Sequence, residues 1–422
     1  MTETFISYLW KYRCLNPELV TQSGEQMVVL HPGEQNSDGG PDFFNARLKI
    51  GNTTWAGNVE IHVRSSDWYR HGHQEDQAYR NAILHVVYED DNPVKYPDGA
   101  FLQTLVVKDR FPGSIFDRYL MLLKNEQWIP CYNQLKASKV SGFGLWAPVL
   151  AVERLINKSD YIRRLWESCL CNWDEAFYRH LAWCFGFRVN NVAFELLSRS
   201  LPLKIVRQHC TSIIQTEALL FGLAGMLEGS FSDEYPNNLF TEYKFLKSKY
   251  KLEPVASASW KYLRMRPSNF PTIRISQWAK FLNLSGGRFF HLLEHSSVTE
   301  IFEHSEIQSS EYWDTHYMFD RPSVYSRKIL GKESANLLII NGIAPFLFFY
   351  GYEKDQPACR EKALGFLEQT NSEMNAVTAR WKDSGLLCEN AMHSQALLQL
   401  KRFYCDRKRC LECRIGIELL TS

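Results

Sequence analysis

Long apolar runs are scarce in this chain of 422 residues. The longest, LLIINGIAPFLFFYGY at 337–352, falls short of the roughly 20 residues that span a bilayer, and it reads as a buried helix. The first twenty residues, MTETFISYLWKYRCLNPELV, carry charges throughout and hold no apolar stretch with a cleavage site, which argues against a leader. We therefore expect a soluble, cytoplasmic protein with no membrane partner. An excess of one charge is also missing: 48 Lys and Arg against 47 Asp and Glu leave a net charge of +1, so no global field points to a polyanion. Proline (16) and glycine (23) are too few for a fibrous or low-complexity protein. Cysteine is present as 11 residues, an odd number that argues against a disulfide framework.

What the chain does have is material for a core. Apolar residues make up 45% of it, and 26 Phe, 20 Tyr and 12 Trp exclude disorder over most of its length. The length suggests two or three domains. Charge is unevenly spread. Residues 1–110 hold 15 acidic and 10 basic side chains, a net of −5, whereas residues 401–414 hold six basic and two acidic, a net of +4.

The hydrophobic period changes near residue 112. Before it, a short amphipathic helix at 5–14 precedes strand-like runs: EQMVVLHPGE, FFNARLKIG, TTWAGNVEIHVR, AILHVVYED and FLQTLVVKD. Gly51-Asn52 between two of them signals a hairpin. SSDWYRHGHQEDQAYRN reads as a loop with a short helix, so the order is helix, three strands, helix, strand, strand. Beyond 112, segments such as WAPVLAVERLINKSDYIRRLWESCL repeat apolar residues at i, i+3, i+4 and i+7. The expected fold class is α+β: a mixed-sheet α/β module over 1–111, a mostly α-helical domain over 112–386, and a Cys-rich C-terminal segment over 387–422.

The densest polar constellation lies in the strand-rich module. Asp42 follows the turn segment 37–41 at the start of one strand, while Glu60 and His62, two apart, project from one face of the next. The hairpin brings Asp42 toward Glu60, and two converging carboxylates suit a hard divalent cation. Pro41-Asp42, seventeen residues and then Glu60-Ile61-His62 resembles the PD-(D/E)xK (restriction-endonuclease-like) nuclease signature on its helix–three strands–helix–strand core, over roughly residues 15–110. The resemblance implies Asp42, Glu60 and the Ile61 carbonyl as ligands of Mg²⁺ or Mn²⁺, and His62 in the place of the family's water-positioning lysine. It also implies an assisting acid, with Glu25 and Glu34 as positional candidates. Glu75 to Tyr79 stands where RecB-like members carry Gln-x-x-x-Tyr, with Glu75 at the first position. Across the whole chain, GGPDFFNARLKI, GNVEIHVRSSDWYRHGH, RMRPSNFPTIR and YCDRKRCLECRIG resemble an uncharacterised bacterial family found chiefly in Bacteroidetes, which implies no activity.

Two further groups bear on chemistry. His62, His71, His73 and His85 lie within 24 residues, beside Asp67 and Asp76. With Glu60 or Asp67, the His71-Gly72-His73 pair can offer a site for Zn²⁺, Mn²⁺ or Fe²⁺. His85, inside an apolar run, reads as a core residue. At the C-terminus Cys405, Cys410 and Cys413 form C-x₄-C-x₂-C, a motif that suits Zn²⁺ or a [4Fe–4S] cluster with Cys14, Cys388 or His393 as fourth ligand. Cys14 with the C-terminal three resembles the iron–sulfur staple of DNA enzymes with RecB-like nuclease domains. Arg264, Arg266 and Arg274, near Phe270, are candidate nucleic-acid contacts.

The leading expectation is a metal-dependent nuclease-like hydrolase that cleaves phosphodiesters of DNA or RNA, with Asp42, Glu60 and His62 as its catalytic residues. Two alternatives stand beside it. One is a non-catalytic nucleic-acid-binding or scaffold protein on a degenerate nuclease fold. The other is a His-rich metallohydrolase of small molecules, which convergence of His71 and His73 on His62 would favour.

Overall fold

The structure, a computed structural model, describes residues 1–36, 38–96, 98–137, 142–255, 260–286, 288 and 307–421. The chain divides into two compact units: residues 1–143 with 401–422, and residues 144–400. The first carries a mixed seven-stranded sheet and the second is mostly helical, so the fold class is α+β.

In the first unit, helix α1 (Glu3–Lys11) starts at Thr2, whose hydroxyl accepts the Phe5 N–H at 3.3 Å. Its Ile6 and Trp10 enter the core of the sheet. The strands are β1 (Leu19–Val20), β2 (Gln26–His31), β3 (Glu34–Gln35), β4 (Phe43–Ile50), β5 (Thr53–Arg64), β6 (Ala82–Glu89) and β7 (Thr104–Val106). They are ordered β1-β2-β4-β5-β6-β7, with β3 also paired to β4. Pairing is antiparallel from β1 to β5 and parallel from β5 to β7. The hairpin at Gly51-Asn52 is present. Ile50 pairs with Thr53, and Gly51 takes the left-handed φ of +56° that such a turn favours. Six of the eight residues of β6, Ala82 to Val87, are buried, as expected of a strand covered on both faces.

Between β5 and β6 the chain makes a short helix α2 (Asp67–Arg70) and a loop. Asp91 ties that loop down by accepting from the Ser66 N–H at 2.9 Å and from the Ser65 and Ser66 hydroxyls.

The change of period at 112 ends the strands but not the unit. Helix α3 (Gly113–Lys124) buries Ile115, Tyr119 and Leu122, and Tyr119 stacks on Phe5 at 5.3 Å. Arg118 donates to the Leu420 carbonyl at 3.1 Å, joining α3 to the C-terminal helix Arg414–Thr421. The division by contacts therefore falls at 143/144 and 400/401, in place of the expected 111/112 and 386/387, because these amphipathic helices bury their apolar faces within the sheet unit.

The second unit is built around one large core that includes Phe194, Phe221, Trp278, Trp313 and Phe346. Its helix Lys332–Glu353 is long and apolar enough to cross a membrane by length and composition, and 72% of its most apolar window is buried, as in a core helix. A π-helical turn at Ile339–Ile343 interrupts it, where the Asn341 carbonyl meets His180 Nε2 at 3.2 Å. Burial pushes the His180 pKa down to about 4, with the nearby Lys158 ammonium acting in the same sense. The native state therefore holds a neutral ring, while the unfolded chain protonates near 6.5. Its contribution to stability is fully present above pH 6.5 and is lost as pH falls toward 4. We expect urea unfolding to show this loss between pH 6.5 and 4. In His180→Gln, which keeps an amide donor for Asn341, the acid slope should be shallower; an unchanged slope would refute the assignment.

Candidate metal centre on the sheet

A single inserted residue sets the geometry of the site. Near the turn β4 and β5 pair regularly, with Ile50 opposite Thr53 and Ala46 opposite Gly57, but Phe43 lies opposite Val59. The extra residue is accommodated at Asn45, in the left-handed region with φ of 57°, whose N–H points to the Asn58 side-chain oxygen at 3.4 Å. Without this bulge, Asp42 would stand opposite Ile61. With it, Asp42 faces Glu60, and each carboxylate accepts a backbone N–H from the other strand segment. The Asp42 N–H donates to Glu60 Oε2 at 3.1 Å, and the Ile61 N–H donates to Asp42 Oδ2 at 3.0 Å.

The parallel register of β5 and β6 adds the next layer. Glu60 pairs with His85, which places His85 on the face that carries Glu60 and His62. His62 Nδ1 lies 2.8 Å from His85 Nε2, and both rings are buried. His62 Nε2 faces outward, 3.1 Å from His71 Nδ1 and 3.5 Å from Glu60 Oε1. His73 Nε2 stands 3.2 Å from the same Glu60 oxygen, yet in an orientation that makes no hydrogen bond.

The loop that delivers His71 and His73 turns at Gly72, with φ of +75°. It is held by backbone bonds from the His71 N–H to the Asp67 carbonyl at 2.9 Å and from the His73 N–H to the Trp68 carbonyl at 3.1 Å. Behind His73, Tyr79 stacks at 3.8 Å and Trp68 meets the ring edge-on at 5.4 Å. One ligand nitrogen from each of His62, His71 and His73 lies within 4.8 Å of the others. The three rings are a group that could hold one metal ion, with Glu60 Oε1 3.5 Å from His62 Nε2 and 3.2 Å from His73 Nε2.

The electrostatics agree with this disposition. Burial first, and then the Glu60 charge, raise the Asp42 pKa to about 7, and Glu3 of α1 contributes in the same sense. Burial lowers His62 to about 3, helped by His73 and His71. His85 is held well below its ordinary value by burial, with His62 and His73 adding to it. Buried neutral imidazoles beside carboxylates are a donor set for a divalent metal. His85 would act through His62, fixing its tautomer so that Nε2 is the free donor.

Asp42, Glu60, Ile61 and His62 are thus brought together, and His71 and His73 join them. Tyr79, at the end of the approximate Gln-x-x-x-Tyr match, lines the same cluster. Sequence reasoning missed Glu3 as a second acid, beside Glu60, whose charge acts on Asp42. It sits in the first turn of the first helix, where its position was the available signal, whereas Glu25 approaches the hairpin turn at Gly51 and Glu34 pairs with Phe44. Cys405, Cys410 and Cys413 line a different pocket of this unit.

The arginine expectation is corrected in part. Arg264 and Arg266 are exposed, but Arg274 is buried, because it lies on the helix Pro271–Ser285, which is buried on all sides through Ala279. Its guanidinium donates to Gln277, Asn269 and Ser334 at 2.6–2.8 Å and lies 4.3 Å from the centre of the Phe187 ring. Its burial, rather than a surface position, sets it apart from Arg264 and Arg266.

Residues 3–376 match the family described as Protein of unknown function (DUF2851), and the chain belongs to that family. No curated protein and no solved structure matches it.

Proposed function

With membership of DUF2851 as the premise, we propose that the chain is a metal-dependent hydrolase of phosphodiesters in DNA or RNA, with a divalent ion held by Glu60, His62, His71 and His73. The observation that carries the reading is the convergence of His62, His71 and His73, two of which, His62 and His73, also approach one oxygen of Glu60. A donor set of three nitrogens and one carboxylate suits Mn²⁺ or Zn²⁺ better than Mg²⁺, which prefers oxygen. Once bound, such an ion polarises a phosphoryl oxygen and lowers the pKa of water.

The other roles belong to the chain itself. Asp42, anchored by the Ile61 N–H through one oxygen, keeps its second oxygen for a proton, and its raised pKa suits proton transfer near neutrality. Trp68 and Tyr79 hold His73 against rotation. The choice of a phosphodiester rests on Asp42 just before β4 and on Glu60 and His62 in β5, whose spacing resembles the PD-(D/E)xK signature. A second reading, a metallohydrolase of small molecules, is favoured by the convergence of His71 and His73, which the nuclease signature does not require.

The test uses the full chain, stripped with chelator and reloaded with Mn²⁺ or Zn²⁺. It is assayed on labelled single- and double-stranded DNA, on RNA and on bis(p-nitrophenyl) phosphate. We expect metal-dependent cleavage of a polynucleotide that is lost in His73→Ala. Turnover of the small ester alone would move the assignment to the second reading. No turnover of any substrate by protein with bound metal would reject catalysis.

A further inference from the structure

Cys131 and the three C-terminal cysteines, remote from it in sequence, share one small pocket of the first unit. Cys131 precedes the helix α4 (Tyr132–Ala137), Cys405 ends the π-helical turn Leu400–Cys405, and Cys410 and Cys413 precede the C-terminal helix Arg414–Thr421. All four line the pocket, with Pro130 and Gly416. Cys131, Cys410 and Cys413 are buried, Cys405 is half-buried, and none of the four is in a disulfide.

Local structure explains how they meet. The Arg409 N–H returns to the Tyr404 carbonyl at 2.9 Å, and Lys408 takes a left-handed φ of 52°, which folds the C-x₄-C segment back on itself. A Cβ at position 416 would collide with the Cys410 carbonyl, so only glycine lets the last helix begin this close to Cys410. The backbone amides of Gly416 and Ile415 act on the Cys413 sulfur in the sense that favours thiolate. Amides aimed at a cysteine sulfur form the kind of outer shell that supports metal-bound thiolates.

We propose that Cys131, Cys405, Cys410 and Cys413 bind a metal centre through four thiolates, a zinc ion or an iron–sulfur cluster, that fastens the C-terminal segment to α3 and α4. The fourth ligand is then Cys131, in place of the expected Cys14, Cys388 or His393. Cys14 instead lies beside Tyr8 and within 3.7 Å of the Tyr12 carbonyl, and Cys388 and His393 belong to the second unit. The proposal is independent of the hydrolytic reading.

The experiment takes the full chain in a His73→Ala background, so that metal at the imidazole site does not enter the count, purified without oxygen. Elemental analysis should find about one zinc per chain, or about four irons with a broad absorption band near 400 nm. Adding Cys131→Ser should reduce bound metal at least tenfold, while Cys14→Ser should leave it unchanged. If Cys131→Ser does not fold, thiol titration of the folded parent decides: removing the metal with chelator under native conditions should make four further thiols reactive, beyond any masked by burial alone such as Cys169, Cys184 and Cys210. Metal-free folded parent protein, disulfides among the four, or full metal content in Cys131→Ser would each overturn the proposal.

Discussion

Glu60→Gln is expected to remove metal from the histidine site and abolish metal-dependent hydrolysis. Glu60 approaches both His62 and His73: Oε1 lies 3.5 Å from His62 Nε2 and 3.2 Å from His73 Nε2, while Oε2 accepts the Asp42 N–H. Glutamine preserves size and can keep the bond to Asp42, but it takes the negative charge from beside the buried His62 and half-buried His73. Outer-shell partners of a metal typically change affinity 10–100-fold, so loss of a direct ligand should exceed about 100-fold, read by competition with a chelating dye. Hydrolysis should fall with it by about 10³-fold or more. The exposed neighbour Glu75→Gln serves as the control and should keep both properties. Wild-type metal affinity in a folded Glu60→Gln protein would remove Glu60 from the ligand set.

Gly57→Val should damage fold and site together. Gly57 sits in β5 where the strand first meets β6. A Cβ there would lie 2.5 Å from the Ile83 side chain and 2.6 Å from the Asn81 carbonyl. One of those neighbours is backbone and cannot yield without moving the start of β6. The Asn58 N–H bond to that same Asn81 carbonyl, 2.8 Å long, would be strained as well. Overpacking of this kind costs about 1–3 kcal/mol, and the branched side chain belongs at the upper end. Because β5 carries Glu60 and His62 while β6 carries His85, a shift between the strands separates the members of the cluster. Denaturant unfolding should show the lost stability, and the same protein should bind Mn²⁺ more weakly. Gly39→Ala, with nothing within 4 Å of the added carbon, should do neither. A Gly57→Val protein of unchanged stability and affinity would show that this close approach is not needed.

Much of the site was legible because a strand repeats every two residues and a hairpin has a recognisable turn. Glu60 and His62 share a face by that rule, and Gly51-Asn52 placed the strand bearing Asp42 beside them. Two features were not legible. Counting back from the turn pairs Asp42 with Ile61, and only the bulge at Asn45 moves it opposite Glu60. The course of a loop is likewise not contained in spacing. His71 and His73 reach His62 because Gly72 turns the chain and Trp68 and Tyr79 support the rings. Arg274 misled for the complementary reason. A run of basic residues suggests a surface, yet its helix is buried on every side through Ala279.

By itself the sequence determined the strand-rich beginning, the helical remainder, the hairpin, and the residue types able to bind metal, since all of these follow from local periodicity and side-chain chemistry. Tertiary structure alone decided which of those residues meet. Cys131 stands 274 residues before Cys405, and no local pattern links them. They share a pocket because α3, α4 and the C-terminal helix bury their apolar faces in one unit with the sheet. Contact between distant residues is set by packing, which a linear pattern does not encode.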